Sequence, residues 1–183
     1  ASAGVLRAMR RPGSPAEYRE MIVRMRDLVP DLALRTTFIT GHPGETPKDF
    51  GELHDFVAWA GFDNMGVFCY SAEESTPAAK MGDVPTRKTA ERRMAKLMEL
   101  QQGISLQRNQ ARVGQQQMAL VTGVSSETEH LLEARLASQA PEIDGKLFVN
   151  DGIESVPAFP FFAMVEITDA HPYDVVGGIV ALA

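Results

Sequence analysis

Leu32-Ala33-Leu34-Arg35-Thr36-Thr37-Phe38-Ile39-Thr40-Gly41-His42-Pro43-Gly44-Glu45-Thr46 is the stretch whose reading decides the fold. From Leu32 to Thr40 it is rich in β-branched and aromatic residues and holds no turn residue, which predicts a buried strand. Gly41 to Gly44 then make a tight turn. Thr46, with Asp49 three residues on, predicts a helix start with a capping box in which Asp replaces the usual Glu. Pro47 falls at the first helical position, where its missing N–H leaves no bond unmade. Arg35, Thr37 and Ile39 share one strand face, and Leu34, Thr36 and Phe38 the other. A charged Arg in a buried strand needs a partner. It is either half of a structural ion pair at a barrel end or a pocket arginine facing an anionic ligand, and the strand alone leaves both open.

On the N-terminal side, Val5 to Arg11 reads as a short helix stopped by Pro12-Gly13. Ser14-Pro15-Ala16-Glu17 opens a second helix that Pro30 ends. Its predicted apolar face is Tyr18, Met21, Ile22, Met25 and Leu28. On the C-terminal side a helix runs from Pro47 to about Trp59, with Phe50, Leu53, Phe56 and Val57 inward, and Gly61 closes it. A second strand follows from Asn64 to Tyr70. The order helix, strand, helix, strand, in units of about 30 residues, is βα repetition around a parallel sheet. Two strands are too few for a parallel sheet covered on both faces, which predicts further strands outside this sequence.

Ser71 to Pro85 is a polar loop long enough to suggest function. A long helix from Thr86 to about Arg112 has Met94, Leu97, Met98 and Ile104 as its buried stripe, with Lys, Arg and Gln on the solvated side. From Val113 the texture changes to short strands: Gln117–Val124, Glu129–Leu136, Lys146–Asn150, Phe161–Asp169 and Val175–Leu182. Five short strands in about 70 residues predict a small antiparallel barrel. The expected division is residues 1–112 and 113–183.

The chain has 183 residues, 44% of them apolar, which suits one or two globular domains. No apolar run approaches the roughly 20 residues of a membrane span, and no signal peptide is expected. Cys69 is the one cysteine, so neither a disulfide framework nor a cysteine metal site is expected, and a cytoplasmic setting follows. The four histidines show no metal spacing. Cys69 reads as a small buried hydrophobe. The chain begins without Met, as a processed product or a piece of a longer protein would. Charge is uneven: net +2 over residues 1–112 and net −8 over 113–183.

Arg35–Thr46, then Phe68-Cys69-Tyr70-Ser71-Ala72-Glu73-Glu74-Ser75-Thr76-Pro77-Ala78, and Met98-Glu99-Leu100-Gln101-Gln102-Gly103-Ile104-Ser105, resemble the radical SAM methylthiotransferases. The last barrel resembles their TRAM domain, an OB-like module. Ala140-Pro141-Glu142-Ile143-Asp144-Gly145 and Tyr173-Asp174-Val175-Val176-Gly177 are most similar to the member that methylthiolates an aspartate of a small-subunit ribosomal protein. His42 departs from the commoner Phe, and Ser75 from the usual Gly.

The resemblance covers nearly the whole chain and implies an α/β fold: the C-terminal part of a partial TIM-like βα barrel, then the TRAM barrel. It implies S-adenosyl-L-methionine (SAM) as cofactor. It also implies two 4Fe-4S clusters in the parent protein, ligated by cysteines this chain lacks. Cluster-bound SAM would be cleaved to a 5′-deoxyadenosyl radical that abstracts hydrogen from the aspartate β-carbon, where a methylthio group is inserted. This piece would supply pocket wall and docking surface and no catalytic or metal-binding residue. Thr37-x-Ile39-x-Gly41, with Glu45 in the turn, resembles the strand motif that packs beside the adenosine. Gly41 would let the backbone approach a flat ring, or simply form the turn. Arg35 would hold the SAM carboxylate, and Tyr70 would line the adenine pocket or cap the barrel core.

The acidic barrel separates relatives. An RNA-gripping barrel should be basic, whereas net −8 would attract a basic ribosomal protein. Glu142, Asp144, Asp151 and Glu154 flank two turns and are the expected docking residues, sharing one end of the barrel. The alternatives are a tRNA methylthiotransferase of the ms2i6A type and a non-catalytic nucleic-acid-binding barrel.

Overall fold

The computed structural model describes residues 1–154 and 156–183. They form two compact units, Ala1–Ile104 and Ser105–Ala183.

The first unit holds α1 (Ala3–Ala8), α2 (Pro15–Leu28), β1 (Arg35–Thr40), α3 (Pro47–Ala60), β2 (Asn64–Cys69), a short 3-10 turn (Ala78–Lys80) and most of α4 (Arg87–Gln110). The cap residues set the helix bounds. The Ser14 hydroxyl accepts the Glu17 N–H ahead of Pro15. Thr46 and Asp49 form the reciprocal capping box, and Gly61 ends α3 in the left-handed conformation. Arg26 of α2 donates to the Ala60 and Gly61 carbonyls at 2.6 and 3.1 Å, which answers two orphan acceptors at the negative end of α3.

β1 and β2 pair in parallel, from Arg35 opposite Asn64 to Thr40 opposite Cys69, and α3 is their crossover. One face of this sheet is covered. Met65 and Val67 pack with Leu53 and Val57 of α3 and Leu97 of α4. Phe38 meets Phe56 and Phe62 edge-on, with centroids 6.4 and 5.9 Å apart. Burying a side chain of this size contributes about 1.5–3 kcal/mol. Cys69 faces this side, its sulfur 3.9 Å from the Met94 sulfur.

Three expectations fail in the part of this unit that precedes α4. The strand starts at Arg35, not Leu32. The Leu34 N–H donates to the Asp63 carboxylate, and the Leu34 carbonyl accepts from Asp63 and Asn64, so a loop contact replaces the ladder there. Nor is β1 buried on both sides: Arg35, Thr37 and Ile39 are exposed. The α2 face is also open. Ile22 is its one buried residue, while Met21, Met25 and Leu28 are exposed. Met21 and Met25 border a cavity of 430 Å³ whose other walls include Val5, Met9 and β1.

The polar side of α4 is not all solvated. Ala90, Arg93, Leu97, Gln101, Ser105 and Asn109 are buried at spacings of three and four, which is one helix face. Gln101 donates to the Phe62 carbonyl at 2.9 Å, and Asn109 to the His171 carbonyl at 2.9 Å.

The second unit is a closed barrel of β3 (Gln116–Val124), β4 (Leu132–Leu136), β5 (Leu147–Asp151), β6 (Phe161–Ala170) and β7 (Val175–Leu182), in the order β3-β4-β5-β7-β6. Alternation does the folding. Leu132, Ala134 and Leu136 point in, as do Ala119, Val121, Leu147, Val149, Ala163, Val165, Ile167 and Val175. The barrel departs from the expected all-antiparallel form at one pair: β5 and β7 are parallel. The β6–β7 hairpin puts β7 between β6 and β5, and running antiparallel to β6 leaves it parallel to β5.

Candidate functional site

The uncovered face of the two-stranded sheet is the first candidate. Across it Arg35 stands opposite Asn64, Thr37 opposite Gly66 and Ile39 opposite Phe68. Phe68 is 63% exposed and Ile39 39%, although parallel strands are ordinarily buried on both faces. Gly66 keeps the floor low: a Cβ there would lie 3.7 Å from the Thr37 hydroxyl and 3.8 Å from the Phe68 ring. At about 3.3 Å per residue, Arg35 and Ile39 are about 13 Å apart along the strand. The face is therefore cationic and polar at one end and flat and apolar at the other.

Beyond the apolar end, the Tyr70 N–H extends the ladder by donating to the Thr40 carbonyl at 2.8 Å. The Tyr70 ring meets His42 edge-on with centroids 5.5 Å apart. The Tyr70 hydroxyl is buried with no hydrogen-bond partner among the described residues, a condition that costs about 1–3 kcal/mol unless a ligand or water answers it. His42 is buried, with Nδ1 2.9 Å from the Pro43 carbonyl. A carbonyl only accepts, so Nδ1 carries the proton of that contact.

The turn between β1 and α3 is held from below. Gly41 has φ +77°, and its N–H donates to Glu45 Oε2 at 3.0 Å. The other carboxylate oxygen pairs with Arg93 of α4; both side chains are buried. Arg93 also donates to the Glu45 carbonyl at 3.2 Å, and its guanidinium lies 5.5 Å from the Phe50 ring centroid. A Cβ at Gly41 would lie 2.5 Å from that of Ala90, so helix packing already demands glycine there. Sequence reasoning missed Arg93. The signal was its position three residues after Ala90 and four before Leu97, on the buried face.

In the barrel, Glu142, Asp151 and Glu154 are exposed and Asp144 is half-buried. Asp144 accepts the Ala140 N–H at 2.7 Å, and Asp151 accepts the Gly152 N–H at 2.9 Å. These four do not share one end of the barrel. Glu142 and Asp144 precede β5 while Asp151 ends it and Glu154 follows, so the strand separates the two pairs. Nearby, the Lys146 ammonium donates to Glu133 at 2.8 Å, and that bond holds the Glu133 carboxyl below its ordinary range.

Residues 113–180 match the family described as TRAM domain. Over 97% of its length the chain is 49% identical to "Ribosomal protein uS12 methylthiotransferase RimO" of Anaeromyxobacter sp. (strain K). It is 41% identical over 97% to the protein of that name from Geobacter sulfurreducens, and 44% identical over 99% to that from Solibacter usitatus. Over nearly its whole length the chain is thus similar to proteins that carry the RimO name, and residues 113–180 carry the TRAM-domain match. The chain spans 37 to 39% of the length of those three relatives.

The resemblance to these methylthiotransferases implies SAM and iron–sulfur clusters, and the two fit this chain differently. The open β1–β2 face has the chemistry SAM calls for: a cation at Arg35, an apolar surface at Ile39 and Phe68, and at Tyr70 a buried hydroxyl with no partner among the described residues. A cluster does not fit. The chain has one cysteine, and among the described residues no group of His, Cys, Asp and Glu is placed to hold a metal ion. Among the described residues no helix is long and apolar enough to cross a membrane.

Proposed function

We propose that this chain is the C-terminal part of a cytoplasmic enzyme that adds a methylthio group to the β-carbon of an aspartate in a small-subunit ribosomal protein. Residues 1–112 contribute the wall of the SAM pocket, and the barrel of residues 113–183 docks the substrate. When bound, SAM and the clusters supply the radical and sulfur chemistry. The residues of this chain bind and orient. Arg35 offers a planar fork to the SAM carboxylate, Thr37, Ile39 and Gly41 line the adenosine, and Tyr70 gives its hydroxyl to the ligand. The observation that carries this reading is the open sheet face, apolar at Ile39 and Phe68 and cationic at Arg35. The 183 residues alone lack cluster ligands, so the isolated chain does not cleave SAM.

A substrate protein is favoured over tRNA by charge. The barrel region is net −8, and nucleic-acid affinity rests on neutralising phosphates with Lys and Arg. Glu142, Asp144, Asp151 and Glu154, as two pairs at the two ends of β5, are the proposed contacts for a basic protein.

The test is Arg35→Ala in the full-length enzyme with its clusters reconstituted. A charge-assisted contact is worth roughly 1.5–3 kcal/mol, so SAM affinity falls by more than about tenfold while cluster content stays unchanged. Unchanged SAM affinity returns Arg35 to a structural ion pair and removes the main support for the pocket.

A further inference from the structure

The buried pair Glu45–Arg93 is poorly explained by stability alone. Both side chains are almost fully buried. Removing two charges from water costs several kcal/mol per ion, and an apolar pair of similar volume is often as stable or more so. What an apolar pair does not provide is direction, and every polar contact of this pair is directed at the same short turn. Glu45 Oε2 accepts the Gly41 N–H, which ties the end of the turn back to its beginning across four residues. Arg93 engages both the carboxylate and the carbonyl of Glu45, so one guanidinium fixes the side chain and the main chain of the same residue. One helical turn earlier on α4, the Ala90 carbonyl accepts the Thr40 hydroxyl at 3.0 Å, and Ala90 fills the space under Gly41. Thr40 in turn receives the Tyr70 N–H. A single face of α4 thereby sets Thr40, Gly41 and Glu45, and through Thr40 it sets Tyr70.

We infer that Arg93 is a positioning residue for the SAM site: through Glu45 it fixes the turn after β1, and so the places of Ile39, Gly41 and Tyr70 against the adenosine. The inference rests on the reading of the β1–β2 face as the SAM pocket. Arg93 is packed over Phe50, on the α4 face that meets Thr40 and Gly41, and acts on the pocket only through Glu45. The arrangement is one in which supporting contacts hold binding groups within a fraction of an ångström of their working positions. Both bonds come from one nitrogen, Nη1, whose N–H directions are fixed in the guanidinium plane, whereas a lysine ammonium donates without fixed geometry.

The experiment measures SAM cleavage by the full-length enzyme with reconstituted clusters, together with melting temperature and iron content for each variant. In Arg93→Met combined with Glu45→Gln, no unpaired charge is left buried and the amide still offers Gly41 an acceptor. The double variant is expected to fold and to load its clusters, with the KM for SAM raised at least tenfold and kcat changed less than threefold. Arg93→Lys, which keeps the charge but loses the planar, fixed donor directions of the guanidinium, is expected to raise KM threefold or more and to fall short of the double variant. A purely structural role predicts the reverse: a lower melting temperature and an unmoved KM. A KM within twofold of wild type in the folded, cluster-loaded double variant overturns the inference. If the double variant does not fold, an unmoved KM in Arg93→Lys overturns it instead. Arg35→Ala, run alongside, separates the two levels. If Arg35→Ala weakens SAM binding and the Arg93 variants do not, only the positioning role is lost. If neither has an effect, the pocket reading falls with it.

Discussion

Gly41 and Ala90 touch so closely that a side chain on the first is excluded by the second: a Cβ at Gly41 would lie 2.5 Å from the Ala90 Cβ. The strand end and the first turns of α4 are thus in backbone-level contact, and the Thr40 hydroxyl bonded to the Ala90 carbonyl fixes their relation.

Gly41→Ala carries two penalties, the φ of +77° and the clash with Ala90. Together they should cost about 2–5 kcal/mol, since a left-handed Ala costs about 1–2 and overpacking about 1–3. Ala90→Gly in the same chain relieves the clash but not the φ, so the double variant should lose less than the two single losses combined. Urea unfolding of all three chains measures this. Simple additivity would mean that the two residues do not press on each other.

Gly51→Ala should do the opposite. Gly51 lies inside α3 with open space around its missing Cβ. Alanine at such a position stabilises by about 0.5–1 kcal/mol, through propensity and a less free unfolded chain. A loss of stability in the same urea experiment would contradict the packing described for α3.

Gly145→Ala should break the entry to β5. A Cβ there would collide with the Tyr173 carbonyl, a backbone atom, beside the Asp174 carboxylate that accepts the Lys146 N–H at 2.7 Å. Neither neighbour can move without opening the start of the β5–β7 pairing, where Leu147 faces Val175. The expected loss exceeds about 3 kcal/mol. Gly123→Ala, which meets nothing within 4 Å, is the control and should change stability little. Hydrogen exchange at β5 and β7 amides reports the difference, and equal protection in the two variants would sink the prediction.

Glu133 gives the barrel an acid-sensitive element. The hydrogen bond from Lys146 holds its carboxyl below the ordinary 4.5 in the folded chain. A carboxylate whose folded pKa is depressed contributes stability that is fully present above its unfolded pKa and is lost as pH falls through the folded one. The contribution is therefore complete at neutral pH and fades below about pH 4.5. Glu133→Gln should be less stable than wild type at pH 7, with the gap closing on acidification. A gap that stays constant to pH 3 would show that the ion pair with Lys146 is not its source. Lys146 is about half exposed, so the effect should shrink in high salt.

If the acidic barrel docks a basic protein, binding should weaken steeply with salt, because the screening length falls from about 10 Å at 0.1 M to about 3 Å at 1 M. Replacing Glu142 and Glu154 by Gln, and Asp144 and Asp151 by Asn, should slow association more than it speeds dissociation. Asn at 144 and 151 retains an acceptor for the Ala140 and Gly152 N–H groups, so the turns stay intact. Surface plasmon resonance against the ribosomal protein, with tRNA as competitor, decides. An unchanged association rate, or a preference for tRNA at physiological salt, would favour the tRNA-modifying alternative.

Local chemistry was enough to write much of this protein from its sequence. Ser14-Pro15 and Thr46-Pro47 start helices at the residues observed, and Gly61 ends one, because caps depend on groups three or four residues away. The five barrel strands appear within three residues of their expected bounds, since period-two alternation needs no knowledge of the partner strand. The placement of Arg35, Thr37 and Ile39 on one face follows from the same period. What tertiary structure alone decided depends on neighbours distant in the chain. The open side of β1, the unfilled face of α2 at Met21 and Met25, and the parallel β5–β7 pair reflect which elements meet, and no local pattern encodes that. Arg93 reads as a solvated helix cation until Glu45, 48 residues away, is brought beneath it. The burial of that charge is tolerable only because the fold supplies its partner.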